Sequence, residues 1–363
     1  MISPSVYLYG GISMKLIHMA DVHLNRMPEE REGIGAIRKQ EIQDTFDQVL
    51  MQAKKEKVDC ILISGDLYDH PPMMEELKEL NARFKKLSPI MIVLIAGNHD
   101  FIEENGPYER FEFAENVIFL KDKTLQSRYV EALNTTFWGF SYHQREIRDA
   151  LYDRIEPVKG EGYHILLAHG GDENHIPIDY ERLKWLGFDY IALGHIHKQE
   201  QIVEDFMAYS GSLEPLDRTE KGQHGYYLLD ISEEGQRITF VPVAKRSYEV
   251  IEIEVEEDET LFDLTGRIED EMIERGRQNF YEIHMTGYTS LSKRFSFEAL
   301  EKKYYIIDIF DETMKDYDEN ELYEENKENI LGMFIEEMRS LSDPYKEEAM
   351  TMGIEALLHT KVK

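Results

Sequence analysis

Five short motifs follow one another along the chain: Asp21-Val22-His23, Gly65-Asp66-Leu67-Tyr68-Asp69, Gly97-Asn98-His99-Asp100, Ala168-His169-Gly170 and Gly194-His195-Ile196-His197. They bring carboxylates, one amide and several imidazoles, the donor mixture that suits manganese, iron or zinc better than calcium. Two such cations held about 3.5 to 4 Å apart need a shared ligand, and a carboxylate with its two oxygens is the natural bridge. Asp66 is that bridge in this reading, because Gly65 before it lets the backbone turn sharply and aim the carboxylate inward. Asp21 and His23 are two residues apart and can face one cation from a strand end, and the same spacing lets His195 and His197 converge. Asn98 adds a neutral carbonyl oxygen, which limits the build-up of negative charge, and His169 adds another imidazole. Manganese is the first choice.

His99 reads differently. A residue beside a ligand can point across the site, so His99 is taken as the acid for a leaving group or as a charge stabiliser. The chemistry implied is in-line attack on phosphorus by a metal-activated hydroxide, with the cation pair offsetting charge on the phosphoryl oxygens. Each motif alone occurs readily by chance; the ordered set carries the reading. Asp69 and Asp100 either orient ligating imidazoles or cap turns. His143 either lines the cleft or makes a loop hydrogen bond, the second being favoured, and His18, His164 and His175 read as structural. Glycine-rich phosphate loops, Ser/His/Asp groupings and zinc-type cysteine pairs are absent.

The elements that must position these side chains are legible as apolar runs. Leu16 to Met19, Asp59 to Ser64, Ile90 to Ala96, His164 to Ala168 and Tyr190 to Leu193 are short, rich in Ile, Val and Leu, and read as buried strands, so each motif is delivered to one edge of a sheet. Gln40 to Lys55 and Met73 to Leu87 carry apolar residues at helical spacing, which makes the core α/β. From Gln201 to Val243 close-set strands with turn signals predict an antiparallel sheet. Beyond Lys245 the pattern predicts strands Tyr248 to Val255, Tyr281 to Met285 and Tyr304 to Phe310, with helices Leu261 to Arg275 and Phe297 to Lys303. From Asp311 a solvated acidic stretch leads to helices Lys327 to Leu341 and Pro344 to His359. Asp343-Pro344 reads as a cap followed by a first-turn proline. Ile330, Phe334, Met338 and Leu341 form one apolar stripe, which either packs within the chain or docks a partner.

The resulting organisation is an N-terminal extension (1–13), a catalytic domain (14–245), a small α/β cap (246–310) and a C-terminal helical segment (311–363). A chain of 363 residues is long enough for one large core plus a smaller domain. The single cysteine, Cys60, lies in an apolar run, which excludes a disulfide framework and fits a cytoplasmic protein. Residues 1 to 13 lack a basic segment and a continuous apolar stretch, so no signal peptide is expected, and no run is long enough to span a membrane. Net charge is -31, from 72 acidic and 41 basic residues. That is the wrong sign for gripping nucleic acid by a general field. Arg26, Arg31 and Arg218 are the local cations available to offset it, although ordinary surface charge is the favoured description of them.

The ordered motifs resemble the calcineurin-like metallophosphoesterase superfamily from about Lys15 to Val243. The resemblance implies a β-sandwich core flanked by helices, with Asp21, His23, Asp66 and His197 on one metal, Asp66, Asn98, His169 and His195 on the other, and His99 as the catalytic histidine. A narrower resemblance, to SbcD-type DNA repair exonucleases, rests on Leu16-Ile17-His18-Met19-Ala20-Asp21-Val22-His23-Leu24, on Tyr209-Ser210-Gly211-Ser212-Leu213-Glu214-Pro215-Leu216-Asp217 and on Gly222-Gln223-His224-Gly225. It implies DNA cleavage with Mn, a homodimer, an SbcC-type coiled-coil ATPase partner, a small cap and docking C-terminal helices. Two other functions remain open at this point: a phosphohydrolase of nucleotides or other small phosphoesters, favoured by the acidic balance, and a non-catalytic partner subunit of such an ATPase.

Overall fold

The computed structural model describes residues 13–28, 34–232, 235–256, 259–290, 295–316 and 318–360. Most of the N-terminal extension and Arg31 lie outside them. The chain divides into two compact units between Ser247 and Tyr248.

The first unit contains strands β1 (Met14–Met19), β2 (Cys60–Ser64), β3 (Met91–Ile95), β4 (Val117–Phe119), β5 (Gln126–Val130), β6 (Thr135–Gly139), β7 (Tyr163–His169), β8 (Tyr190–Gly194), β9 (Glu200–Val203), β10 (Met207–Tyr209), β11 (Gly225–Ser232) and β12 (Gly235–Pro242). They form two six-stranded sheets, ordered β12-β11-β1-β2-β3-β4 and β5-β6-β7-β8-β10-β9. The strands read as continuous apolar runs because both of their faces are covered. Leu16, Leu62 and Val93 from the first sheet meet Phe137, Ile165 and Ala192 from the second. The alternating residues Ile17, Ile61 and Ile63 pack instead against Phe46 and Val49 of helix Ile34–Lys55 and Leu77 and Phe84 of helix Met74–Lys85. Phe140, Tyr142 and Tyr152 cover the outer face of the second sheet. His18 is a core residue: its Nδ1 lies 2.8 Å from the Tyr190 hydroxyl and its Nε2 3.2 Å from the Leu193 carbonyl. Burial pushes its imidazole down to about 3, so it stays neutral.

Two expectations are corrected here. The motifs do not share one sheet edge, because β1, β2 and β3 belong to one sheet and β7 and β8 to the other. Nor do the strands after Gln201 form a sheet of their own. β10 pairs parallel with β8, whereas β11 and β12 form a hairpin beside β1. Apolar alternation marks a strand but carries no information about its neighbour, and the loop from Ser210 to His224 takes the chain from one sheet to the other.

In the second unit, β13 (Tyr248–Val255), β14 (Phe280–Ser290) and β15 (Tyr305–Asp311) are parallel, and helix Leu261–Arg275 buries Leu264, Ile268 and Met272 against them. The stretch after Asp311 is more ordered than its acidity suggests. β16 (Met314–Asp316) pairs with the end of β14, and helix Glu319–Asn326 follows, its Asp318 side chain accepting from the first-turn amides. Helices Ile330–Ser340 and Lys346–Thr360 come next, so Pro344 precedes its helix by two residues. The apolar stripe splits. Phe334 and Met338 pack against Ile335, Met350 and Ile354, whereas Ile330 and Leu341 are exposed. Among the described residues no helix is long and apolar enough to cross a membrane.

Candidate metal centre

The chain bends sharply where each motif leaves its strand. Asp21, His23, Asp66 and His195 all have positive φ, a strained choice for residues with a Cβ. Backbone hydrogen bonds hold the bends together: Asp21 N–H donates to Gly65 O, His23 N–H to Asp66 O, and Gly170 N–H to Gly194 O. The His195 amide donates to the Asp21 carboxylate at 3.0 Å, tying the end of one sheet to the end of the other. Gly97 is demanded by contact alone, since a Cβ there would lie 2.2 Å from the Asp66 carboxylate.

All eight residues singled out for chemistry meet in this region. Candidate ligand atoms of Asp21, His23 and His197 lie within 4.8 Å of one another, and so do those of Asp66, His169 and His195. Asp66 Oδ2 is 3.7 Å from His23 Nε2 and 3.4 Å from His169 Nε2, between the two groups. Asn98 Oδ1 is 2.9 Å from His169 Nε2 and 3.0 Å from His195 Nδ1. The His99 amide donates to Asp66 Oδ1, and its half-buried ring faces that of His23 at 4.7 Å.

Each of four imidazoles is held from behind by an oxygen acceptor. His23 Nδ1 meets Asp69 at 2.9 Å, His169 Nδ1 the Ser64 carbonyl at 2.8 Å, His195 Nε2 Asp172 at 2.7 Å and His197 Nδ1 Glu220 at 2.6 Å. A nitrogen facing an acceptor carries the proton, so the other ring nitrogen presents its lone pair. Those of His23, His169 and His195 face Asp66 or Asn98, and His197 groups with Asp21 and His23; the carboxylates and the amide oxygen are acceptors too. Buried His23 Nε2 and Asp66 Oδ2 have no hydrogen-bond partner. Acceptors packed against acceptors is an arrangement that divalent cations satisfy and protein groups do not.

The charges agree with that picture. Burial lowers the affinity of His169 for a proton, but Asp66 overrides it and brings the imidazole up to about 9. Burial likewise lowers His197, and Glu220 and Asp21 raise it to about 9. Both rings thus sit beside concentrated negative charge, the environment that suits a divalent cation. Burial, reinforced by His169, takes His195 down to about 4, and burial also holds His99 below the usual imidazole range.

Sequence reasoning missed two of the carboxylates. Asp172 holds His195 and also meets His175 Nδ1 at 2.9 Å, so His175 belongs to the rim of the site. Glu220 reaches His197 from the loop after Leu216, whose amide it also accepts. Asp69 does orient His23, whereas Asp100 caps backbone, accepting from Leu67, Tyr68 and Gly97 amides. His143 bonds the Lys121 carbonyl on a loop. Arg26 is engaged with Asp69 at 3.1 Å. Loss of the carboxylate behind His197 should weaken cation binding: Glu220→Gln is expected to lower Mn affinity by roughly 10 to 100-fold, measured by calorimetric titration. An unchanged affinity would mean that His197 does not depend on Glu220.

The calcineurin-like phosphoesterase family model matches residues 14–199. The DNA double-strand break repair protein Mre11 of Methanocaldococcus jannaschii is 28% identical over 278 residues, covering 70% of this chain and 73% of that protein. The uncharacterized metallophosphoesterase YhaO of Bacillus subtilis is 30% identical, covering 66% and 64% of the two chains. The Mre11 protein of Methanopyrus kandleri is 25% identical, covering 73% and 63%.

Proposed function

Because this chain belongs to the calcineurin-like phosphoesterase family, a family of metal-dependent phosphoesterases, we propose that it is a phosphodiesterase that cleaves DNA with two divalent cations, manganese first among them. The observation that carries the reading is the set of four back-tethered imidazoles, of which His23, His169 and His195 turn their second nitrogens toward Asp66 or Asn98 and His197 lies beside Asp21 and His23. Asp21, His23, Asp66 and His197 would hold one cation, and Asp66, Asn98, His169 and His195 the other. Such a pair supplies an activated water and offsets charge on the phosphoryl oxygens. The chain's own groups do the rest. Asp66 keeps the two ligand sets at a fixed separation, and Asp69, Asp172 and Glu220 fix imidazole tautomers. His99, whose amide is held by Asp66, presents its ring to the leaving oxygen and helps the alcohol depart. DNA as substrate is supported by the two Mre11 relatives, whose names concern double-strand break repair.

The test is incubation with Mn and end-labelled single- and double-stranded DNA alongside a small diester, bis(p-nitrophenyl) phosphate. Degradation of DNA is expected. Turnover of the small diester with indifference to DNA would select the small-phosphoester hydrolase instead, which the net charge of -31 favours. We further propose a homodimer in the cytoplasm, joined to an SbcC-type ATPase through the exposed face of the C-terminal helices, where Ile330 and Met333 are 66% and 65% exposed. Met333→Asp should abolish co-purification with that ATPase while leaving metal content intact; retained binding refutes this docking face.

A further inference from the structure

We propose that Arg145 is a phosphate subsite, gripping a phosphodiester that neighbours the one being cleaved, so that it selects polynucleotide strands over isolated phosphoesters. The inference rests on the phosphodiesterase reading above. The cleft over Asp66, Asn98 and His99 has a volume of about 660 Å³ and is also lined by Arg145, Glu146 and His175. Cavities of roughly 300 to 1,000 Å³ take whole small-molecule ligands, so there is room here for more than one phosphoryl group. Among the described residues lining the cleft, Arg145 is the permanent cation.

The guanidinium is exposed and forms no ion pair among the described residues, although Arg148 on the same loop pairs with Glu146. The backbone beneath it is fixed. Ile147 N–H donates to the Asn174 carbonyl at 2.9 Å, Ile176 N–H donates to the Ile147 carbonyl at 2.6 Å, and the Ile147 side chain packs against the core outside the second sheet. On the other flank His143 bonds the Lys121 carbonyl. The segment paired with Ile147 carries His175, which shares Asp172 with His195. Arg145 therefore rides on a loop whose backbone is registered to a residue of the metal centre, while its side chain is left to meet a ligand.

Charge makes that placement consequential. A strand approaching a chain of net charge -31 gains nothing from the overall field. A planar guanidinium lining the same cleft can pair two of its N–H groups with two oxygens of one phosphate. Cations held at the centre would act on the phosphate being cleaved, so Arg145 contributes only when the substrate has another phosphate along the strand. A monomeric diester does not.

The experiment compares kcat/KM for a labelled 20-nucleotide DNA with that for bis(p-nitrophenyl) phosphate, both with Mn, for the parent chain, Arg145→Ala and Arg145→Lys. Arg145→Ala should lower the DNA-to-small-diester ratio by about tenfold, the effect of one charge-assisted phosphate contact. It should also reduce the slope of log KM for DNA against log salt by about one. Arg145→Lys should recover the slope and part of the ratio. An unchanged ratio, or equal losses on both substrates, overturns the inference and leaves the phosphodiesterase reading standing. Failure of the parent chain to cleave either substrate overturns that reading and the inference with it.

Discussion

Asp66→Asn is expected to lower kcat for phosphodiester hydrolysis by about 10³-fold or more and to remove the thermal stabilisation expected from manganese in the parent chain. The substitution keeps shape and removes charge. Asp66 is fully buried, and its Oδ2 lies between His23 and His169 with no hydrogen-bond partner. Burial alone would push this carboxyl up, yet the imidazoles around it hold it well below the usual carboxylate range, so it is the fixed negative charge of the site. An amide in its place turns an N–H or a neutral oxygen toward those imidazoles, and the two ligand sets lose the oxygen pair that joins them. Losing about 4 kcal/mol of transition-state stabilisation is a thousandfold in rate. A ligand stabilises a fold in proportion to the logarithm of its concentration over its dissociation constant, so a melting curve reads out cation binding without any turnover. The variant should melt cooperatively, and millimolar manganese should raise the melting temperature of the parent only. A variant that retains both activity and the manganese shift would remove Asp66 from the centre.

Glu214→Ala should cost about 3 to 5 kcal/mol of folding stability, a fall in melting temperature of roughly 6 to 20 °C for a unit of this size. Glu214 lies in the Ser-Gly-Ser-Leu-Glu-Pro-Leu-Asp stretch, and its role is architectural. Its carboxylate meets Arg38 at 3.1 Å and accepts from the Thr45 hydroxyl and the Lys245 amide. Arg38 is fully buried and also donates to the Pro215 carbonyl. This ion pair pins the loop that carries Glu220 onto helix Ile34–Lys55. Removing the carboxylate leaves the buried guanidinium with one charge partner fewer, Glu41 among the described residues still pairing with it. Replacing both partners together, Arg38→Leu with Glu214→Leu, should cost less than the single change, because no buried charge is then left behind. Equal stability of Glu214→Ala and the parent in thermal denaturation would contradict the account.

Much of the first unit was legible because its strands are buried on both faces. Ile61, Leu62 and Ile63 cannot be anything exposed, and a turn forced at Gly65 directly after them puts Asp66 at a strand end. The ordered Asp, Asn and His residues could therefore be placed at strand ends, and the ordered set with its family resemblance grouped them, although on one sheet edge rather than at the ends of two sheets. Sheet membership could not. Whether Met207 pairs with β8 or with β11 depends on tertiary packing, and nothing in an apolar alternation specifies it. The carboxylates behind the imidazoles were hidden for a similar reason. Glu220 is 23 residues beyond His197, and only the return of a long loop brings them within 2.6 Å. Asp172 was within reach, three residues after His169 and separated from it by two glycines. The stripe of the C-terminal helices divided because Gly353 opens room for the Phe334 ring on the neighbouring helix, a contact that the helical spacing of Phe334 does not reveal.

Anomalous diffraction from manganese-soaked crystals tests the central claim most directly. The account predicts two peaks about 3.5 to 4 Å apart with Asp66 between them, one against Asp21, His23 and His197 and the other against Asn98, His169 and His195. No peak at this position under saturating manganese, or ions bound with Asp66 turned away from them, would contradict it.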